Sequence, residues 1–416
     1  MKILMPTAYF FPEVTASTHL SNNRNQAFAD NGYEMVVYTP TPTRGIDDEV
    51  YKEYKNRKLE VMYDGKMAIH RFRLMREGKN PLLRAFRYTI SCLKQLYFGI
   101  WGRGARQCDM MFISSTPPIQ GAMAAIIKKI RHIPFVYNLQ DIFPDSLVGT
   151  GLSHKGSILW KIGRVIENFT YRNADKIIVI SNDFKKNLLE KGVPEEKIEV
   201  IYNWIDEKAV VPIEKEKNFL FEELGITRDK FNVVYAGNFG HAQNIEIIIN
   251  AAERLKDNPN INFILFGTGG LKEKFVDMVS SLGLNNVKFF PLQPYDRVSH
   301  VYSLADIGIV SCKKGIGHGA MPSKTWSILS AGTPVVANYD KGTDIENILL
   351  ENQIGLFSDA GDIDAFVDAI LYMQQNPELC AEMGRKGRAF IEQNLTKEIG
   401  TSKIIGVVEQ IKANIL

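Results

Sequence analysis

The sequence predicts an α/β protein built from two doubly wound parallel sheets. Short apolar runs bounded by turn residues alternate with longer stretches whose apolar residues recur at a period near 3.6, as in strand–helix–strand units. The chain has 416 residues, more than a single hydrophobic core usually supports, so we expect two domains. The alternation breaks once, at the charged stretch 214–230, and restarts after it. We therefore assign 1–212 and 213–395 to the two domains and treat 214–230 as a linker region.

Each predicted strand is a short apolar run that ends at a turn residue, and the predicted helices lie between these runs. The first domain has predicted strands at Ile3–Met5, Met35–Tyr38, Met111–Ser114, Phe135–Tyr137, Ile177–Ile180 and Glu199–Ile201, with helices near 21–31, 82–101, 120–131, 158–172 and 183–191. The second has predicted strands at Val233–Ala236, Phe263–Phe266, Val287–Phe290, Ile307–Val310, Pro334–Ala337 and Gly355–Phe357, with helices near 245–256, 271–282, 322–331 and 363–374. The tail 377–415 is predicted to be helical. Two such sheets place a cleft at the carboxyl ends of their strands, where ligands bind.

Composition excludes several classes of protein. With 45% apolar and 23% charged residues, the chain is neither disordered, collagen-like nor a coiled coil. Its four cysteines are scattered without short pairing or neighbouring histidines, which argues against a disulfide framework or structural zinc and fits a reducing cytoplasm. The amino terminus has no signal-peptide core, and no run of eighteen apolar residues occurs. Any membrane contact is therefore expected to be peripheral, at the inner face of the plasma membrane.

The net charge of +3 conceals a strongly basic segment. Residues 66–107 contain ten Lys or Arg and one acid, a local charge of about +9 (ten minus one). Within it, the predicted helix 82–101 has apolar residues on one face and cations along the border, so 80–107 suits an anionic membrane surface. The alternative is a domain helix that buries this face in the core, and the sequence leaves both open. Nucleic acid is disfavoured because no recognition module accompanies the charge.

Two loops of the first domain follow strands and should face the cleft. The loop 6–18 lacks the Gly-x-Gly-x-x-Gly pattern, which disfavours a nicotinamide or flavin cofactor; Ser17 or Thr18 could simply cap the next helix. Asp141 follows the strand Phe135–Tyr137 and should lie at the carboxyl edge of the sheet. It is either a functional carboxylate or an aspartate that accepts hydrogen bonds from loop amides.

Three loops of the second domain suggest a phosphate site. The glycines of 237–243 and 267–270 would let backbone amides approach an anion near a helix N-terminus. The loop 313–324 runs directly into a helix, where Ser323 can donate or cap and Lys324 supplies a charge. The alternatives are that Lys324 is a solvated helix residue and His318 a loop histidine. For His318 alone that alternative is favoured, whereas the whole run favours a site.

Taken together, these stretches resemble retaining glycosyltransferases of family four with the GT-B fold. The resemblance covers nearly the whole chain and rests on the order and spacing of 237–244, 267–269, 290–292, 305–309, 321–324 and 330–336. The loop Gln140–Ser146 is similar to the Asp–aromatic–Pro loop of the subgroup that builds bacterial capsules and O-antigens. The resemblance implies two Rossmann-like domains that face each other across a cleft, with the last helix, 396–416, packed back on the first domain.

The resemblance also implies roles for individual residues. The second domain would hold a nucleotide-sugar donor, with the diphosphate near the first glycine loop and Lys324 and the base against Gly267 and Leu292. The implied donor-binding residues are Gly237, Asn238, Gly240, Gln243, Gly267, Leu292, His318, Gly319, Ala320, Met321, Ser323, Lys324 and Glu346. The implied acceptor-side residues are Glu13, Ser17 and Asp141. Asp141 and Lys324 are the catalytic candidates.

The chain departs from the family pattern at several positions. Gly319 and Ser327 stand where many relatives carry two glutamates, so Glu346 is the candidate replacement for the carboxylate that binds the ribose. Asn238 and Gln243 stand where relatives often carry Arg and Lys, and Gln140 where many carry His. Lys324 must therefore neutralise more of the diphosphate charge.

The expected reaction is a metal-independent retaining transfer. A sugar, expected to be an N-acetylated hexosamine or a deoxyhexosamine, would pass from a UDP-linked donor to a lipid-linked or saccharide acceptor in bacterial surface polysaccharide biosynthesis. No Asp-x-Asp motif is present to hold a divalent ion, and Asp141 would orient or deprotonate the acceptor hydroxyl. A sugar-nucleotide epimerase of the same architecture and a non-catalytic sugar-nucleotide-binding subunit remain alternatives. No nucleic-acid partner or cofactor is expected, and a homodimer is compatible with the sequence.

Overall fold

The chain folds into two compact units. The structure, a computed structural model, describes residues 1–15, 17–78, 80–149 and 154–414. One unit comprises Met1–Tyr202 with Gly400–Leu416, and the other Asn203–Ile399. The first boundary thus lies before 203 and not after 212. Residues just after 203 belong to the second unit because Ser299 accepts a hydrogen bond from the Val211 amide and donates one to the Ala209 carbonyl, at 3.0 and 3.1 Å.

The first unit contains an eight-stranded sheet in the order β3-β4-β2-β1-β5-β6-β7-β8. Only β3 is antiparallel to its neighbour. The strands are β1 Lys2–Pro6, β2 Glu34–Pro40, β3 Leu59–Met62, β4 Met67–Phe72, β5 Met110–Ser114, β6 Phe135–Leu139, β7 Lys176–Val179 and β8 Ile198–Val200. The helices are α1 Thr18–Asp30, α2 Asp48–Tyr54, α3 Pro81–Trp101, α4 Arg103–Arg106, α5 Ile119–Arg131, α6 Asp145–Gly149, α7 Ile158–Asn173 and α8 Asn182–Glu190. The β3–β4 hairpin and the short helices α2, α4 and α6 are additions to the sequence prediction.

The second unit contains a six-stranded parallel sheet in the order β11-β10-β9-β12-β13-β14. Its strands are β9 Phe231–Asn238, β10 Ile261–Thr268, β11 Val287–Phe290, β12 Ile307–Ser311, β13 Val335–Tyr339 and β14 Gly355–Asp359. Its helices are α9 Leu220–Glu223, α10 Ile245–Arg254, α11 Lys272–Ser281, α12 Val298–Tyr302, α13 Lys324–Ser330, α14 Asp344–Glu351, α15 Ile363–Gln375 and α16 Pro377–Asn394. The last helix, α17 Lys397–Ala413, begins in this unit and continues in the first, where Tyr33 donates a hydrogen bond to Glu409.

The predicted linker 214–230 is instead part of the second unit. Leu220 and Phe221 are 0% and 1% exposed, and the Asn218 side chain donates to the His300 carbonyl at 2.7 Å. Most charged residues of this stretch are exposed, while Leu220, Phe221 and Ile226 are buried in the core. Composition alone therefore misplaced it.

Helix α3 buries one face and leaves an apolar face open to solvent. One face is in the core, since Cys92, Gln95 and Ile100 are buried. The opposite face is apolar yet open to solvent, and it carries Leu83, Phe86, Leu93, Tyr97 and Trp101, each more than half exposed. We call these five residues the outer stripe. Among the described residues no helix is long and apolar enough to cross a membrane.

Candidate functional site

The most unusual group in the second unit is the ammonium of Lys324, the first residue of α13. Its Nζ is buried without any hydrogen-bond partner and lies 3.7 Å from the centroid of the Tyr235 ring. Because burial removes its hydration, the pKa of Lys324 falls from 10.5 to about 7. An unpaired buried cation is destabilising unless a ligand or a counterion compensates it.

The neighbouring strand β9 makes room for this side chain. A Cβ at Gly237 would lie 2.8 Å from Lys324 Nζ, and Gly237 has a φ of +156°. The Tyr235 hydroxyl donates to the Asn238 carbonyl at 2.9 Å, so the aromatic ring is fixed beneath the ammonium. The sequence analysis predicted Lys324 as a site residue but did not identify Tyr235, because nothing in the sequence distinguishes Tyr235 from other buried strand residues.

Lys324 lines a pocket of about 200 Å³ at the carboxyl ends of β9 and β10. The walls are largely apolar, and the polar side chains include Ser323, Lys324 and Ser327. The lining residues are Ala236, Phe266, Leu292, Gln293, Tyr295, Val298, Val301, Tyr302, Ser323, Lys324 and Ser327. An apolar pocket with a few polar groups at this edge of a parallel sheet is a usual small-molecule site.

The two glycine loops lie side by side because β9 and β10 pair in register through Gly237 with Gly267 and Asn238 with Thr268. The Phe239 amide donates to the Thr268 carbonyl at 2.8 Å. A Cβ at Gly267 would lie 2.5 Å from the Gly237 carbonyl oxygen. Gly267 is therefore required by packing, and it does not line the pocket, whereas Leu292 does.

The polar residues of the first glycine loop are close to each other. The Asn238 amide donates to Gln243 Oε1 at 3.5 Å. A Cβ at Gly240 would lie 2.6 Å from the Asn238 amide nitrogen and 2.8 Å from Gln243 Oε1. Gly240 thus allows these two neutral side chains to approach each other beside the pocket.

The loop before α13 is held by a residue that the sequence prediction missed. The Asp340 carboxylate, 5% exposed, accepts from the amides of Gly315 at 2.8 Å and Gly317 at 2.6 Å. Tyr339 donates to the Ala320 carbonyl at 3.2 Å. Asp340 directly follows β13, and that position at a strand carboxyl end is the signal that could have identified it.

The other predicted donor residues differ in placement. Met321 is buried, while His318, Gly319, Ala320 and Ser323 are exposed. The side chain of Ser323 makes no capping hydrogen bond to α13.

Glu346 lies in the first turn of α14, where its carboxylate accepts from the Gly342 amide at 2.5 Å. It stabilises that helix terminus. It is not among the residues that line the pocket.

In the first unit, Asp141 lies at the surface of the loop after β6. Partial burial of the carboxyl removes hydration from its charged form and raises the pKa of Asp141. A hydrogen bond with Ser146 acts in the opposite direction and lowers it. Glu13 instead is 3% exposed and accepts from the amides of Thr43 and Arg44 at 2.7 and 2.8 Å. Its contacts are those of a structural residue.

Ser17 is exposed at the start of α1, and its side chain does not cap the helix. Thr18 instead accepts a hydrogen bond from the Thr15 amide at 2.7 Å. The structure therefore does not support a capping role for Ser17.

Family models match most of both units. Residues 25–209 match the model of Glycosyltransferase Family 4, and residues 216–390 match that of Glycosyl transferases group 1. The chain carries two glycosyltransferase family domains. The Lys324 pocket lies within the group 1 domain, and Asp141 within the Family 4 domain.

Two relatives that are assigned as glycosyltransferases are similar to this protein over most of the chain. WcaI of Escherichia coli K12, assigned as a glycosyl transferase of colanic acid biosynthesis, is 26% identical over 351 residues, 83% of this chain and 85% of WcaI. WbjE of Pseudomonas aeruginosa, assigned as a glycosyltransferase, is 25% identical over 380 residues, 89% of this chain and 86% of WbjE.

Solved structures confirm the predicted fold class, a GT-B fold with two Rossmann-like domains. Sucrose-phosphate synthase of Thermosynechococcus elongatus superposes with a TM-score of 0.78 at 14% identity, covering 99% of both chains. The Anabaena protein HepE in complex with UDP gives a TM-score of 0.72 at 17% identity, covering 99% of this chain and 100% of HepE.

Proposed function

We propose that this glycosyltransferase is a retaining enzyme that transfers a sugar from a UDP-linked donor to a lipid-linked or saccharide acceptor in bacterial surface polysaccharide biosynthesis. Both family domains support transfer, and the assignment of WcaI to colanic acid biosynthesis supports the polysaccharide context. The solved complexes of HepE with UDP and with UDP-glucose support the donor class. The donor sugar is proposed to be an N-acetylated hexosamine or a deoxyhexosamine.

The observation that carries the donor assignment is the unpartnered ammonium of Lys324. Its Nζ is the only charged group among the residues that line the pocket, and it has no counterion there. A diphosphate would supply the missing negative charge. In this arrangement Leu292 and Phe266 pack against the base, and Ser327 is positioned for a ribose hydroxyl.

The same contact explains how the donor is activated. When the bond from the sugar to the diphosphate breaks, the bonding electrons remain on the diphosphate oxygen, and positive charge beside that oxygen lowers the barrier. Lys324 provides this charge from a fixed position, so the mechanism needs no divalent ion. Turnover in excess EDTA should therefore equal turnover in Mg²⁺.

On the acceptor side, we propose that Asp141 contacts the acceptor hydroxyl that attacks the sugar. The residue as a whole is exposed, while partial burial of its carboxyl raises its pKa and so makes the carboxylate a better proton acceptor. A carboxylate at the carboxyl edge of the sheet can orient the hydroxyl and take its proton.

We further propose that segment 80–107 binds an anionic membrane surface. Two neighbouring helices, α5 and α7, extend the surface that makes this contact. The outer stripe of α3 continues onto exposed residues of α5 and α7, which pack in that order. The additional residues are Ile126, Ile130, Ile158, Leu159, Ile162 and Val165. We call these six residues and the outer stripe the apolar face.

The charges around the apolar face suit anionic lipid. Helices α3 and α5 contain no Asp or Glu, and in α7 the single acid, Glu167, is 3% exposed on its side chain and paired with Arg164 and Lys191. Lys129 and Lys161 therefore border exposed apolar residues without competing carboxylates, whereas Arg84 forms an ion pair with Glu77. Each nearby cation contributes about 1 kcal/mol to binding at such a surface.

The donor assignment is tested with Lys324→Met and a matched control, Lys256→Met, at an exposed position after α10. UDP affinity and turnover should fall by at least about a hundredfold in Lys324→Met and stay unchanged in the control. Unchanged UDP affinity in Lys324→Met would contradict the assignment. Conversion of a UDP-sugar to its epimer without acceptor would instead favour a sugar-nucleotide epimerase.

A further inference from the structure

A second pocket, in the first unit, is lined by three cations. It measures about 290 Å³ and is lined by Thr41, Tyr51, Lys55, Arg73, Leu74, Met75, Ile90 and Lys94. Thr41 directly follows β2, and Arg73 directly follows β4. The pocket thus lies at the carboxyl edge of the first sheet, where ligands of such sheets bind. None of its residues belongs to the donor or acceptor assignments above.

The cations of this pocket have no carboxylate partner within the part of the chain that the structure describes. The nearest acids in sequence are paired elsewhere, Glu53 with Arg57 and Glu77 with Arg84 and Arg87. Lys94 Nζ donates to the Arg73 carbonyl at 2.7 Å, which leaves its charge uncompensated. Arg73 donates to the neutral Asn56 side chain at 3.2 Å.

Three uncompensated cations from separate elements line this one pocket. Lys55 comes from the residue after α2, Arg73 from the loop after β4 and Lys94 from α3. Like charges repel, and in a partly enclosed pocket that repulsion is screened less than at an open surface. A bound anion with several acceptor oxygens, such as a phosphate, would relieve it.

The apolar part of the lining indicates what the anion is attached to. Leu74, Met75 and Ile90 line the same pocket. Ile90 follows Phe86 by four residues and precedes Leu93 by three, so it adjoins the outer stripe on the helix surface. A ligand in the pocket therefore has a continuous apolar path along α3.

We propose that this pocket binds the phosphate group of an amphiphile whose hydrocarbon chain lies along the outer stripe of α3. The phosphate contacts Lys55, Arg73 and Lys94, and the chain replaces water on the exposed apolar side chains. Both a membrane phospholipid and a lipid-linked acceptor carry a phosphate attached to a hydrocarbon chain. The inference rests on the proposed function only if the bound amphiphile is the lipid-linked acceptor.

The test compares two triple variants of equal charge. Lys55→Gln/Arg73→Gln/Lys94→Gln removes the cations of the pocket, whereas Lys52→Gln/Lys58→Gln/Lys66→Gln removes three exposed cations of the same unit. Calorimetry measures binding of octyl phosphate, octanol and inorganic phosphate without donor. We expect octyl phosphate to bind the wild type at least about tenfold more tightly than the other two probes. The pocket variant should lose about tenfold or more of that affinity, and the control variant less than about twofold.

Equal weakening in both variants would overturn the proposal, because diffuse charge would then explain binding. Inorganic phosphate that binds as tightly as octyl phosphate, or no binding of octyl phosphate at all, would overturn it as well. Loss of binding to phosphatidylglycerol vesicles in the pocket variant alone identifies the bilayer as the source, and retained vesicle binding identifies the acceptor. UDP affinity, measured in parallel, reports on the second unit, so failure of the donor assignment is recognised separately.

Discussion

The ammonium of Lys324 lies 3.7 Å from the centroid of the Tyr235 ring and has no hydrogen-bond partner. The aromatic face stabilises the cation but supplies neither a proton acceptor nor a full negative charge. The protein therefore maintains at this position a group that is poorly solvated when charged. Such a group binds an anion strongly and changes its protonation easily, and two predictions depend on this property.

The first prediction concerns stability. Because the pKa of Lys324 is about 7 in the folded protein and near 10.4 in the unfolded chain, the unfolded state binds the additional proton between these values. Stability should thus rise with pH above 7 through this group. Lys324→Met removes the effect. The free energy of unfolding of Lys324→Met minus that of the wild type should therefore be larger near pH 7 than near pH 9. The difference between the two pH values should be about 2–3 kcal/mol, measured by urea denaturation. A constant difference would contradict the burial of a neutral lysine.

The second prediction concerns protons taken up on binding. At pH 8 most Lys324 side chains should be neutral because their pKa is about 7, and a diphosphate favours the charged form. UDP binding should then take up close to one proton. Calorimetry in two buffers of different ionisation enthalpy measures this number. Lys324→Met should show almost no uptake, and equal uptake in both proteins would assign the proton to another group.

The sequence predicts the sheets well because their strands are apolar and buried on both faces. The run Val233–Ala236 lies within β9, and Phe263–Phe266 within β10. The hairpin β3–β4 was missed since β3 is partly exposed and β4 carries His70 and Arg71 among its apolar residues. Its turn, which includes Asp64 and Gly65 with positive φ, is a recognised hairpin signal that could have indicated it.

The candidate site was predictable only in part. Lys324 stands in a loop-to-helix motif that is visible in the sequence, but its burial against Tyr235 depends on the packing of α13 on the distant strand β9. Gly267 illustrates the opposite case, because a glycine assigned to the base turns out to be required by the Gly237 carbonyl. Local motifs indicate which loops form the site, whereas the contacts that define each role are made between distant segments.

The third prediction tests this packing role of Gly267. A Cβ there would lie 2.5 Å from a backbone oxygen of the adjacent loop, whereas a Cβ at Gly270 would meet no atom within 4 Å. Gly267→Ala should therefore lower the free energy of unfolding by about 1–3 kcal/mol and weaken UDP binding. Gly270→Ala is the control in the same loop and should change neither quantity appreciably. Equal melting temperatures for the two variants would show that the loops separate easily.

The fourth prediction concerns the acceptor step. Asp141→Asn preserves the shape of the side chain but removes its charge, so turnover should fall by about a hundredfold or more while UDP affinity stays unchanged. Since the pKa of Asp141 is raised, wild-type turnover should decline as the pH falls through this raised value, and the variant should lose that dependence. Loss of UDP affinity in the variant would count against the assignment.

The fifth prediction concerns the apolar face. Leu93→Glu/Tyr97→Glu places two carboxylates on the outer stripe, where both side chains are more than half exposed, so the fold should be unaffected. Sedimentation with phosphatidylglycerol vesicles should fall by at least about tenfold, because each change removes apolar area and adds repulsion from anionic lipid. Leu350→Glu/Tyr372→Glu, at comparably exposed residues of the second unit, gives the same change in charge and should bind as the wild type does. If wild-type binding does not weaken with salt, electrostatic attraction is not its cause. If both double variants bind equally, the apolar face does not contact the membrane.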